Sequence, residues 1–125
     1  MTKTKSQIGK SSKARGKRGE LSLVHALRDA GFTEARRTAQ YCGKAEGTSD
    51  VIGLKGIHCE CKVVERLNIW DALLQSQRDA ESDGNNDCPA VFFKRNRSGW
   101  YVALPLSDFI RLYASSDLCK GDVNK

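Results

Sequence analysis

The sequence predicts an α/β chain built on a mixed central sheet flanked by helices, in the order α-β-β-β-α-β-β-α. Two patterns predict it. Apolar residues recur at helical spacing in three stretches, and between them short runs rich in β-formers come in pairs joined by turn signals. At 125 residues, with no internal repeat and no second composition regime, the chain is expected to form one domain over residues 19–115. A basic flexible arm over 1–18 precedes it, and a frayed polar tail over 116–125 follows.

The first helix is expected over 20–30. Leu21, Val24 and Leu27 recur at helical spacing, Leu23 widens the stripe, and Gly31 is the stop. A short strand is expected over 36–41, followed by a polar loop over 43–49. Residues 50–54 and 57–64 are two strands separated by Lys55-Gly56, a tight-turn signal, and so form a hairpin. Ile69, Ala72, Leu73 and Ser76 mark a second helix over 68–82, ended by Asp83-Gly84-Asn85-Asn86-Asp87. Pro89 starts the apolar strand Ala90-Val91-Phe92-Phe93. A basic turn leads to a further strand over 100–104, which Pro105 ends. Ser107 is the expected N-cap of a last helix carrying Phe109, Ile110, Leu112 and Tyr113.

The net charge of +6 is unevenly placed. Residues 1–18 hold seven cations and no acid, whereas the remaining 14 cations face 15 acids. A cationic segment spaced with Gly9, Ser11, Ser12 and Gly16 suits phosphate contact, since each neutralised phosphate releases counterions. A solvated, solubilising tail has the same composition. Five irregularly spaced cysteines argue against a disulfide framework and for reduced thiols. No apolar run approaches the roughly 20 residues of a membrane helix, and the N-terminus lacks a secretory apolar segment, so a cytoplasmic protein is expected.

The sharpest chemical constellation is Asp50 at the mouth of one strand and Glu60-Cys61-Lys62 on the next. Alternation sends Glu60 and Lys62 to one face and Cys59, Cys61 and Val63 to the other. If the two strands pair, the Asp50 carboxylate can lie beside that of Glu60, and two carboxylates so close need a cation between them. Hard oxygen ligands of this kind suit Mg²⁺, with Mn²⁺ as a substitute. A neighbouring lysine adds the fixed positive charge that phosphodiester hydrolysis requires. An acid-x-Lys strand is also common on solvated sheet faces.

With Gly16-Lys17-Arg18-Gly19-Glu20, Ser49-Asp50-Val51, Glu60-Cys61-Lys62, the helix bearing Gln75, Phe92-Phe93-Lys94-Arg95-Asn96-Arg97 and Trp100 in this order, the chain resembles the PD-(D/E)xK nuclease superfamily. Within it, the likeness is to the small Holliday-junction-resolvase-like nucleases of archaea and phages. The resemblance implies a restriction-endonuclease-like core and a homodimeric, metal-dependent endonuclease acting on branched or double-stranded DNA. It implies that Asp50, Glu60 and the backbone carbonyl of Cys61 hold Mg²⁺. Lys62 would orient or activate the attacking water, and Glu20 would act on the metal through a water or a second ion. Gln75 would support the site. Ser49 stands where the superfamily's name places a proline, a loose position in that family. The short chain leaves no room for a sequence-reading domain.

Glu20 has a simpler expectation as a favourable anion in a helix's first turn. His58, Cys59 and Cys61 lack the spacing of a zinc knuckle, and the two cysteines are better read as small buried hydrophobes. Candidate DNA-binding cations are Lys10, Lys13, Arg15, Lys17 and Arg18 in the arm, Arg36 and Arg37 before the metal loop, and Lys94, Arg95 and Arg97 in the turn near Trp100. Two other functions fit the same sequence. One is a less selective nickase or end-processing nuclease of a phage or mobile element. The other is a non-catalytic DNA-binding protein whose carboxylates are structural.

Overall fold

The computed structural model describes residues 5–38 and 48–123, with side chains described over 15–38 and 48–120. The elements in chain order are α1 (Lys5–Asp29), β1 (Arg36–Arg37), β2 (Val51–Ile52), β3 (Ile57–Val63), α2 (Ile69–Asp83), β4 (Cys88–Lys94), β5 (Tyr101–Ala103), α3 (Leu106–Ala114) and α4 (Asp117–Val123). The expected α/β order is present, with α4 added where a frayed tail was expected.

The five strands form one mixed sheet in the order β1-β2-β3-β4-β5. All neighbours are antiparallel except β3 and β4, which run parallel with α2 as their crossover. Pro89 is the second residue of β4 rather than its first, since the strand begins at Cys88. Its nearest partner on β3 is His58, and β5 pairs only with Val91 to Phe93, so the missing N–H falls where no β5 residue stands opposite.

The first helix begins at Lys5, not at Glu20, so the arm expected to be flexible is helical over most of its length. Lysine and arginine are good helix formers, and extending a helix already docked at its C-terminal half needs no new nucleus. The basic extension has no acid in its first turn.

The sheet separates two packing layers. Gly19 of α1 lies so close to β3 that a methyl there would come within 2.9 Å of Val63 Cγ2, with Cys61 Sγ at 3.8 Å. This is the face of Cys59, Cys61 and Val63, and here Leu23, Val24, Val51 and Cys59 form the buried core, ringed by Leu27, Phe92 and Trp100. Burying a side chain such as Leu23 contributes about 1.5–3 kcal/mol. The opposite face packs on α2 through the small residues Ala72, Ser76 and Ala80. Asn68 caps α2 by accepting the Asp71 N–H, and Gly84 closes it at φ 71°.

The β2–β3 hairpin forms, but its turn is longer than Lys55-Gly56 alone. Gly53 adopts φ +104°, and a side chain there would overlap the Glu34 carbonyl and crowd the Ala35 Cα. The backbone thus ends β2 after two residues. The strand expected over 36–41 is two residues long as far as it is described, and Tyr41, Cys42 and most of the polar loop lie outside the described residues. β5 is likewise shorter than expected at both ends. Helix α3 is capped at Pro105, placing Ser107 inside its first turn, where it cannot serve as the expected N-cap.

Candidate active site

The site is built around Asp50, which the backbone holds from both sides. Its N–H donates to the Cys59 carbonyl at 2.8 Å, and its carbonyl accepts the Thr38 N–H at 3.1 Å. Its Oδ2 accepts the Cys61 N–H at 2.8 Å, so the carboxylate is aimed along the edge of β3. N–H and C=O of one strand residue point to the same edge, which puts the Cys61 carbonyl on the Asp50 side as well.

Glu60 projects from β3 towards α2 and is only 3% exposed. Burial pushes its carboxyl up to about 8. The Asp50 charge and a hydrogen bond to Asp50 add to the rise, as does Asp79, while Lys62 opposes it. The expectation of two adjoining carboxylates with a lysine beside them is therefore met, and strand pairing is its cause. Glu20, on α1 against the other face of the sheet, feels the Asp50 charge. Its carboxyl is raised by burial and by the Asp50 charge, against an opposing hydrogen bond from Arg37.

Glu20 lies well inside α1, so a favourable place in a helix's first turn does not account for it. Instead it binds Arg37 Nε at 2.9 Å. Arg37, expected to touch phosphate, is thereby engaged with an acid of the site. Gln75 is exposed on α2, about one turn before Asp79. Among the described residues, no group of three or more His, Cys, Asp and Glu side chains is arranged to hold a metal ion. Cys59 and Cys61 are free thiols, each pushed up to about 12, chiefly by burial. That direction disfavours the thiolate a zinc site needs.

Sequence reasoning missed one cluster. Thr48 Oγ1 lies 2.9 Å from His58 Nε2, 2.9 Å from Asp83 Oδ2 and 3.1 Å from the Asp79 carbonyl, and the Thr48 N–H donates to Asp83 at 3.0 Å. This clasp ties the segment entering Asp50 to α2. The placement of His58 on the same strand face as Glu60 was a readable sign of it, but the partners come from two distant segments.

The candidate cations fall into groups. Arg15, Arg18, Lys94 and Arg97 line one cleft of about 690 Å³ between α1 and the β4–β5 turn. Lys17 is exposed on α1, Arg36 is exposed on β1, and Arg95 is exposed at the β4–β5 turn. The side chains of Lys10 and Lys13 lie outside the described ones. The chain matches no protein-family model, no curated protein and no solved structure, so its function is argued from this geometry.

Proposed function

We propose that the protein is a metal-dependent, structure-selective DNA endonuclease with a restriction-endonuclease-like core, acting on branched DNA as a Holliday junction resolvase. The observation that carries this is the Asp50–Glu60 pair. A carboxyl pushed up to about 8, first by burial and then by a second carboxylate beside it, is a site short of positive charge. A divalent cation answers that shortage, and Mg²⁺ needs only one or two carboxylates because it keeps several waters.

Asp50, Glu60 and the Cys61 carbonyl are the residues that would hold Mg²⁺ or Mn²⁺. When bound, such an ion polarises the scissile phosphate and lowers the pKa of a nearby water. The Cys61 N–H fixes the Asp50 carboxylate, and Thr48, anchored on Asp83, holds the chain that enters it. Lys62 offsets negative charge on the same strand face and would orient the attacking water. Glu20, neutralised in part by Arg37, sets the charge on the far side of Asp50. The basic extension of α1 and the cationic cleft give the DNA backbone a surface on the same molecule.

A four-way junction needs two symmetry-related cuts, which a C2 dimer supplies. Helix α3 buries none of its residues and exposes Leu106, Phe109, Ile110, Leu112 and Tyr113, an apolar surface suited to a second copy of the chain.

The deciding experiment incubates the protein with a labelled four-way junction and a linear duplex of matched length, in Mg²⁺ or EDTA, beside Asp50→Asn. Paired Mg²⁺-dependent cuts in the junction alone, lost in the variant while binding persists, are expected. Cuts in both substrates make it a general nickase or end-processing nuclease. Binding with no cut under any condition leaves a DNA-binding protein without nuclease activity.

A further inference from the structure

Beside the carboxylates, the sheet carries a feature that the cleavage chemistry does not use. Paired residues project from the same face of a sheet, and the register places Lys62 opposite Phe93 and Phe93 opposite Tyr101. Lys62, Phe93 and Tyr101 therefore form one row across β3, β4 and β5. The two rings are 6.0 Å apart and inclined at 31°, and Tyr101 is 61% exposed. The rings border a cleft of about 410 Å³ that Leu67, Arg95 and Ser98 also line.

This aromatic cleft opens on the face of the sheet opposite to α1 and meets the cationic one around the ends of β3 and β4, where the two share Val64, Glu65 and Lys94. Among the described residues, Glu65 is the one acid in the lining of either, against Arg15, Arg18, Lys94 and Arg97 on the cationic side and Arg95 on the aromatic side. The turn that carries these last cations is held in an uncommon shape. Arg97 has φ 65°, left-handed for a non-glycine residue, and the Ser98 hydroxyl braces it by accepting the Arg95 N–H. Lys94 Nζ lies 5.6 Å from the Trp100 ring centroid, which steadies the cation at the boundary.

A stacking platform next to a phosphate-binding groove is the arrangement that recognises single-stranded nucleic acid. The geometry points to a site for an unpaired nucleotide of the DNA substrate: its base stacks on Tyr101 and Phe93, and its flanking phosphates lie along Arg15, Arg18, Lys94 and Arg97. The purpose of the site rests on the nuclease reading, in which Lys62 at the end of the row serves the scissile phosphate. The binding itself does not depend on it. Such a site selects DNA that is melted or branched next to the cut, because a base within an intact duplex cannot reach the platform.

Binding in EDTA separates this inference from cleavage. Fluorescence anisotropy compares a forked DNA with one single-stranded arm and a fully paired duplex of equal length, for the full-length protein, Tyr101→Ala, Tyr101→Phe and Arg18→Ala/Arg97→Ala. Loss of a stacked base is expected to weaken fork binding by about tenfold in Tyr101→Ala, with duplex binding changed less than about twofold and Tyr101→Phe unaffected. Arg18→Ala/Arg97→Ala weakens both. A 2-aminopurine in the unpaired arm is quenched by the wild type and by Tyr101→Phe, but not by Tyr101→Ala. The inference is overturned if Tyr101→Ala weakens fork and duplex equally, if it weakens neither, or if the probe is never quenched. Far-UV circular dichroism verifies that each variant is folded. A protein that cuts DNA but fails this test keeps its nuclease function and loses only the platform.

Discussion

At Glu60, one carboxyl group ties stability to pH. Its folded-state pKa of about 8 lies far above the ordinary value of 4.5, so the folded protein holds this proton more tightly than the unfolded chain. The resulting stabilisation is complete below about 4.5 and is lost as pH rises through about 8. Glu20 is raised too and acts in the same direction. Thermal melts in EDTA are therefore expected to fall from pH 5 to pH 8.5, and Glu60→Gln should remove most of that slope. Added Mg²⁺ should reduce the fall in the wild type and leave Glu60→Gln unchanged. At Thr48, removing the hydroxyl strips buried His58 and Asp83 of a partner. Thr48→Val is expected to lower the unfolding free energy by about 1–3 kcal/mol in a denaturant titration. If Thr48 positions Asp50, the Mg²⁺ concentration for half-maximal cleavage rises as well.

Secondary-structure elements show how far the sequence could be read. The carboxylate pair was legible because alternation and a hairpin are local rules, and Asp50, Glu60 and Lys62 obey them. Gly53 was not legible as a strand breaker, since its positive φ answers a close approach by Glu34 and Ala35, far away in sequence. Strain at such a φ costs about 1–3 kcal/mol, so Gly53→Ala should lose at least that much stability by chemical denaturation. The start of α1 was hidden for a different reason. Residues 5–18 carry no apolar stripe, and their helix follows from continuity with the docked half at Leu23 and Val24. The platform at Phe93 and Tyr101 depended on register, which turn and strand signals do not fix. Along α1, Lys10→Gln/Lys13→Gln should flatten the salt dependence of duplex binding, by about 0.9 in log–log slope for each phosphate that is no longer neutralised.

For the whole molecule, the proposed function assigns the exposed apolar row of α3 to self-association and the basic surface of α1 to DNA. Phe109, half exposed on α3, is the residue whose replacement by a charge tests that division. Phe109→Asp is expected to shift sedimentation from dimer to monomer and to uncouple the paired cuts in a junction, while single nicks persist. A monomeric wild type at micromolar concentration would instead remove the C2 argument for the resolvase.

The strand order has its own consequence. Because β1 to β5 lie in the sheet in the order in which they occur in the chain, each strand can be added to the exposed edge of the one before it. Among the described pairings, the longest closure is the parallel joint of β3 and β4, bridged by residues 64–87. Closing a longer segment costs more chain entropy, so the α2 crossover is the strand pairing with the largest closure cost. Glu20, Asp50, Glu60 and Lys62 all precede that joint. During synthesis the acid cluster leaves the ribosome first, and the strands bearing Phe93 and Tyr101 are laid beside it last.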